Sequence, residues 1–183
     1  MRIHRAALSA APLVALVLLA ACTTEADTPT EPSTEPTSLS DCAALLPEDS
    51  LKPLGWTVEG APTLDESLCR QAAAEGAVSV QRRPVAAGSE EEVPDAAQQA
   101  FDDRCAELGG MVGERAGEEV DWLGDDARAC VALAEGETGT TALIALWPDN
   151  TLVEVRVDAD EPVSPDQVQA ALVELAGIAD ANL

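Results

Sequence analysis

The sequence predicts an α+β fold, in which an antiparallel sheet carries two main helices and two disulfides. Segments of alternating apolar and polar residues follow one another across tight turns, and strands connected in this way are antiparallel. Two longer segments place their apolar residues at helical spacing. These segments also contain four cysteines, namely Cys42, Cys69, Cys105 and Cys130. Outside the cytoplasm, an even number of cysteines indicates disulfides.

The first residues of the chain indicate an export signal. Two arginines precede an apolar run from Ala6 to Ala20, which is shorter than the roughly 20 residues that a spanning helix needs. The sequence Leu19-Ala20-Ala21-Cys22 then matches the bacterial lipobox, in which the cysteine thiol takes a diacylglyceryl group. We therefore expect a signal peptide at residues 1–21 and a lipidated, palmitate-bearing Cys22. An ordinary signal peptide followed by an incidental cysteine is the alternative.

The segment after the lipobox predicts a tether. Thr23 to Ser40 consists almost entirely of Thr, Pro, Glu and Ser, with Leu39 as its large apolar residue. Such a segment cannot bury enough apolar surface to fold. We expect a disordered tether over residues 22–40 and a single extracytoplasmic domain over residues 41–183. The lipid would hold that domain at the outer face of the cell membrane.

The charge of the chain excludes one class of partner. Loss of the signal peptide moves the net charge from −24 to −26, with 8 basic and 34 acidic residues left. A surface this acidic repels phosphate backbones, so nucleic acid is excluded as a partner. Anionic headgroups are repelled as well, which leaves the lipid as the attachment to the membrane. Solubility explains the charge, and a cationic partner is permitted.

The four domain cysteines have spacings that favour disulfides over zinc. A zinc site needs a CxxC-like pair or histidines, and His4 is removed with the signal peptide. Three pairings are open from the sequence alone. We predict the sequential one, Cys42 with Cys69 and Cys105 with Cys130, because each bridge would then join a helix to a strand of the same half.

The elements follow from local patterns along the chain. Ser164, Pro165 and Gln167 form a capping box that begins the last helix. Glu154 and Arg156 alternate with valines, which predicts a strand with one buried face. In chain order we expect a short helix at 41–46, strands at 68–73 and 78–81, a helix at 94–108 ended by Gly109-Gly110, strands at 128–134, 140–147 and 153–157, and the last helix.

One dipeptide suggests an internal duplication. Leu54-Gly55 precedes the strand that bears Cys69, and Leu123-Gly124 precedes the strand that bears Cys130. In each case an apolar strand and a helix follow.

These motifs together resemble a known kind of protein. The lipobox, the tether, the sequence Asp41-Cys42-Ala43-Ala44-Leu45-Leu46 and the sequence Leu123-Gly124-Asp125-Asp126-Ala127 resemble small actinobacterial secreted lipoproteins of unknown function. The outline is also similar to the disulfide-linked extracellular sensor domains of mycobacterial receptor kinases. The resemblance implies a binding or sensing role in the cell envelope, and it carries over no catalytic residues.

The residue types argue against an enzyme. The mature chain has no histidine and, with its disulfides formed, no free thiol, which removes Ser-His-Asp and Cys-His arrangements. Asp125 and Asp126 are a carboxylate pair of the kind that glycosidases use, but carboxylates this numerous are adjacent by chance. We expect no catalytic residues and no cofactor.

The acidic clusters do not predict a metal site either. Asp158, Asp160 and Glu161 lie close in sequence, as do Glu118, Glu119 and Asp121. Neither group has the glycine and glutamate spacing of an EF-hand loop. We interpret both as solvated acidic surface and expect no bound metal.

Two hypotheses for the function remain. The first is an envelope protein-interaction or sensing module, for which a flat, exposed apolar patch would be typical. The alternative is a lipoprotein that binds a small apolar ligand between sheet and helices, in a cavity lined by Leu143, Trp147 or Ile178.

Overall fold

The computed structural model describes residues 39–83, 85, 92–111, 117–134 and 136–182, which all belong to one compact unit. Cys22 and the predicted tether up to residue 38 lie outside these residues. The helices of the described chain are α1 (Leu39–Leu45), a 3-10 helix (Glu48–Leu54), α2 (Val93–Met111) and α3 (Pro165–Ala181). The strands are β1 (Thr63–Asp65), β2 (Leu68–Ala73), β3 (Gly76–Arg83), β4 (Glu118–Val120), β5 (Arg128–Ala132), β6 (Gly139–Leu146) and β7 (Leu152–Ala159).

The strands form one sheet of seven in the order β1-β2-β3-β7-β6-β5-β4. Every neighbouring pair is antiparallel, so the predicted antiparallel sheet is confirmed. β5, β6 and β7 are consecutive neighbours, as expected of a meander. β7 is the middle strand, and it joins the first half of the chain to the second by pairing with β3.

One face of the sheet packs against α1, the 3-10 helix and α3, and we call it the α3 face. Its alternate strand residues are apolar and buried against leucines of the helices, so this layer forms the larger part of the core. The central strands contribute Val78, Val80, Leu143, Val153, Val155 and Val157 to it.

The opposite face, which we call the α2 face, is packed against α2 over β5, β6 and β7. Phe101 and Leu108 of α2 are buried there against Cys130 and Ile144 of the sheet. Because α2 covers this side and α3 the other, β6 is apolar and buried on both faces over most of its length. Three α-helices therefore pack on the sheet, whereas two main helices were predicted from the sequence.

α2 is longer than its sequence indicated. The expected helix over 94–108 ended at Gly109-Gly110, whereas α2 extends from Val93 to Met111 and includes both glycines. Glycine ends a helix when it takes a left-handed conformation, but it can also continue one at a cost of about 1 kcal/mol. Burial of Leu108 against the sheet keeps the last turns of α2 in contact with the core.

The disulfides are those that the sequence predicted. Cys42 of α1 is bonded to Cys69 of β2, and Cys105 of α2 is bonded to Cys130 of β5, with Cα–Cα distances of 5.1 and 6.0 Å. The first bridge belongs to the core of the α3 face and the second to that of the α2 face. Each face is thus tied to one helix by a covalent bond.

The capping box of α3 is also confirmed. The Gln167 amide N–H donates to the Ser164 hydroxyl at 3.3 Å, and the Ser164 amide N–H donates to Gln167 Oε1 at 3.4 Å. Pro165 occupies the first helical position, where a missing N–H costs nothing. This start fixes the position of α3 beside the end of β7.

Candidate functional site

An apolar pocket of about 160 Å³ opens on the α3 face, between the start of α3 and the β5–β6 connection. We call it the α3 pocket. Its floor consists of Thr141 and Val157 from β6 and β7, and Val168 of α3 forms one wall. All three are buried, whereas Trp122, which also lines the pocket, is half-buried. Its other lining residues are Leu133, Ala134, Gly136, Glu137, Thr138, Gly139, Ala159, Val163, Pro165 and Gln169.

The rim of the α3 pocket is held by two hydrogen bonds, one between backbone groups and one from backbone to a side chain. Gly136 and Gly139 have φ angles of 101° and 108°, a region that glycine enters without a steric penalty. The Val163 N–H donates to the Glu137 carbonyl at 2.8 Å, which ties the β5–β6 connection to the segment before α3. The Ala134 N–H donates to Thr141 Oγ1 at 3.1 Å. The exposed residues of this connection therefore have a defined place above an apolar floor.

The surroundings of the α3 pocket are acidic. Glu137 is exposed on its rim, and the adjoining hollow, which shares Trp122 and Gln169 with the pocket, includes the exposed Asp166. Of the residues that the structure describes, no arginine or lysine lines either of them. An apolar floor within a negative rim favours an apolar group that carries or adjoins positive charge.

The cavity expected from the sequence is not at the expected residues. Leu143 is fully buried in the core. Trp147 borders a different, open hollow with Asp126, Asp149 and Asp180, and Ile178 does not line the α3 pocket. Two features of the sequence mark the pocket, namely Trp122 in a connection between strands and the glycines on either side of 137–138.

The carboxylate pair considered for catalysis is divided by the structure. Asp125 is an exposed turn residue, whereas Asp126 borders the hollow of Trp147 together with Asp149 and Asp180. Burial and the nearby charge of Asp149 raise the pKa of Asp180, although Arg82 opposes this. An open group of acids does not by itself define a catalytic arrangement.

The acidic clusters are partly neutralised by arginines. Asp158 accepts a hydrogen bond from Thr140 at 2.6 Å and lies 3.8 Å from Arg70, and Glu119 pairs with Arg128. Across the described ranges, no three Asp, Glu, His or Cys side chains are arranged to hold a metal ion.

One strand carboxylate is buried, although its sequence pattern placed it in solvent. Glu154 of β7 is only 6% exposed, on the α2 face. Its Oε2 accepts from Arg104 Nη2 at 2.7 Å, and its Oε1 accepts from Arg156 Nε at 2.6 Å. Burial lowers the pKa of Arg104, but the hydrogen bond to Glu107 and the charges of Glu154 and Glu107 outweigh it and raise that pKa. Glu154 links α2 to β7 through Arg104. We therefore assign a structural role to the cluster of Glu154, Arg104 and Arg156.

Comparisons with family models, curated proteins and solved structures found no match to this chain. Among the residues that the structure describes, no helix is both long enough and apolar enough to cross a bilayer. The α3 pocket is therefore interpreted from its own geometry and charge.

Proposed function

We propose that this protein is a lipid-anchored module on the extracytoplasmic face of the cell membrane, where it docks another envelope protein through the α3 pocket. The lipobox at Cys22 supports the anchor, and the tether after it would give the domain freedom to reach a partner. The two disulfides are compatible with a location outside the cytoplasm.

The size of the α3 pocket is the observation that carries the docking proposal. At about 160 Å³ it is smaller than the roughly 300–1,000 Å³ of sites that enclose a whole drug-sized ligand. It is close to the cavity of about 150 Å³ that accommodates one benzene ring. A volume of this size suits a single apolar side chain, of the kind that anchors a protein interface.

We propose binding rather than turnover as its mode of action. The mature sequence offers carboxylate, hydroxyl and arginine groups, but no histidine or tyrosine, and these two supply many general bases near neutral pH. Among the described residues, the polar side chains that line the α3 pocket are the carboxylate of Glu137, the hydroxyls of Thr138 and Thr141 and the amide of Gln169. Its chemistry is that of recognition.

Site-specific photo-crosslinking in intact cells tests the docking proposal. A photoreactive phenylalanine analogue in place of the exposed Thr138, on the rim of the α3 pocket, should crosslink one defined envelope protein. The substitution Ala134→Leu adds three carbons at the pocket wall and should abolish that crosslink. In the same cells, Cys22→Ala should abolish labelling of the protein by radioactive fatty acid.

The matched control is the same analogue at Glu48, an exposed residue on a separate hollow. Equal crosslinking from both positions would show that the α3 pocket is not the docking site. A small apolar molecule that co-purifies with the wild type, and is lost in Ala134→Leu, would favour the ligand-binding alternative instead.

We also propose that the two halves of the domain arose by duplication. In each half, a cysteine-bearing helix precedes a short edge strand, a strand bonded to that helix, and a strand next to β7. β3 and β6 run in the same direction on either side of β7. A two-fold rotation about an axis along β7 would therefore exchange the two halves of the chain and the two faces of the sheet. Failure of α1 with β1–β3 to superpose on α2 with β4–β6 would contradict this proposal.

A further inference from the structure

The charge distribution around the α3 pocket narrows the chemistry of its occupant. Besides Glu137 on the rim and Asp166 in the adjoining hollow, Asp121 is next to Trp122, and Glu161 is two residues before Val163; both are exposed. The described lining of the pocket and the hollow includes no basic residue. An exposed acidic rim of this kind attracts a cationic partner and accelerates its association.

The basic residues that the structure describes are elsewhere and mostly engaged. Six of the seven form ion pairs within the domain, namely Lys52 with Asp49, Arg70 with Asp158, Arg82 with Asp149, Arg104 with Glu107 and Glu154, Arg128 with Asp102 and Glu119, and Arg156 with Glu154. The seventh, Arg83, donates to Gln81. Within the described part of the chain, no basic residue therefore supplies positive charge to the α3 pocket.

From these observations, and on the basis of the function proposed above, we infer that the α3 pocket receives one apolar side chain from a lysine- or arginine-rich segment of the partner protein. A second copy of this chain would bring a like charge of −26 and the same acidic rim, so self-association through this face is disfavoured. A fatty acid or anionic lipid would place its negative head at the same rim. In contrast, Trp122 offers an aromatic side chain to a cation at the pocket edge.

Titration of the full chain, in non-ionic detergent, with synthetic peptides tests this inference. The probe is a nine-residue peptide with one central leucine, four flanking lysines and glycine at the other positions. Isothermal calorimetry should show binding that weakens at least about tenfold when the central leucine is alanine, because three carbons are no longer buried. A peptide with glutamates in place of the lysines should not bind.

Two variants of the protein locate the binding. Ala134→Leu should weaken binding of the leucine peptide at least about tenfold, to the level of the alanine peptide. Glu137→Lys should weaken binding of the leucine peptide several-fold and reduce its dependence on salt, whereas Glu48→Lys, at another exposed position, should leave it unchanged. Circular dichroism of each variant should match that of the wild type.

Other results would overturn the inference. Equal binding of the leucine and alanine peptides would mean that the lysines bind the acidic surface without an anchor. Equal losses of peptide affinity from Glu137→Lys and Glu48→Lys would exclude a local role for the acidic rim of the α3 pocket. A dimer of the full chain that Ala134→Leu disrupts would identify a second copy as the occupant. If Thr138 still crosslinks an envelope protein while the lysine peptides fail, the docking proposal stands and the cationic partner is wrong; if both fail, the docking proposal falls as well.

Discussion

Glu154 has a side chain that is only 8% exposed, and it pairs there with two arginines, Arg104 and Arg156. Loss of this carboxylate would leave Arg156 without its ion-pair partner and Arg104 with only the exposed Glu107, and breaking a buried ion pair is strongly destabilising. We expect Glu154→Gln to lower the free energy of unfolding by about 3 kcal/mol. Urea denaturation of the full chain, followed by tryptophan fluorescence, measures this change.

Glu107→Gln provides the matched control, because Glu107 pairs with the same Arg104 but is 60% exposed. Exposed ion pairs contribute about 0–1 kcal/mol, so this variant should stay close to the wild type. Similar losses from both variants would mean that the burial of Glu154 is unimportant to its role.

At the scale of single residues, the sequence indicated how apolar and polar side chains alternate, but not which distant residues they contact in the fold. Glu154 alternates with valines in β7, and that pattern alone predicts an exposed carboxylate. Its burial depends on Arg104, which is 50 residues away in the chain and reaches it because α2 packs across β7. The same limit applies to the α3 pocket, whose floor and rim come from separate segments.

At the scale of the elements, Gly76 shows how a strand start depends on a missing side chain. A Cβ at this position would lie 2.1 Å from the carbonyl oxygen of Asp158 and 2.9 Å from Trp56 Cη2. Since backbone cannot yield as a flexible side chain can, Gly76→Ala should separate the start of β3 from the end of β7. We expect a loss of about 3 kcal/mol of stability, measured by urea denaturation.

Gly60→Ala is the comparison for that loss. Gly60 has a φ of 73°, and a Cβ there would meet no atom within 4 Å. Its substitution should therefore cost only the strain of holding a Cβ in the left-handed conformation, which is about 1 kcal/mol of stability. If Gly76→Ala were no more destabilising than Gly60→Ala, the close approach of β3 and β7 would not be a constraint.

Long elements with a regular apolar pattern could be predicted from the sequence, whereas short elements could not. β2, β6, β7 and α3 have patterns that a sheet face or a helix face imposes on them. β1 and β4 have three residues each, which is too few for an alternating pattern to be distinguished from chance. The 3-10 helix contains Pro53, a residue that obscures helical spacing.

At the scale of the whole molecule, the sheet order required long-range information. The meander of β5, β6 and β7 follows from tight turns, but the pairing of β3 with β7 joins segments about 80 residues apart. No local pattern specifies that contact. The sequential disulfides could be predicted because each bridge closes a loop within one half.

The two disulfides lead to a prediction about the stability of the whole domain. Their loops span 27 and 25 residues, and they neither overlap nor nest. Loop-closure entropy gives roughly 3.5 kcal/mol of stabilisation for each. Because the bridges belong to separate cores, the losses should add to within about 0.5 kcal/mol. Urea denaturation of Cys42→Ala/Cys69→Ala, of Cys105→Ala/Cys130→Ala and of the fourfold variant measures this sum. If the fourfold variant lost much more stability than the sum of the two double variants, the two bridges would act on one shared structure. That result would count against modular halves.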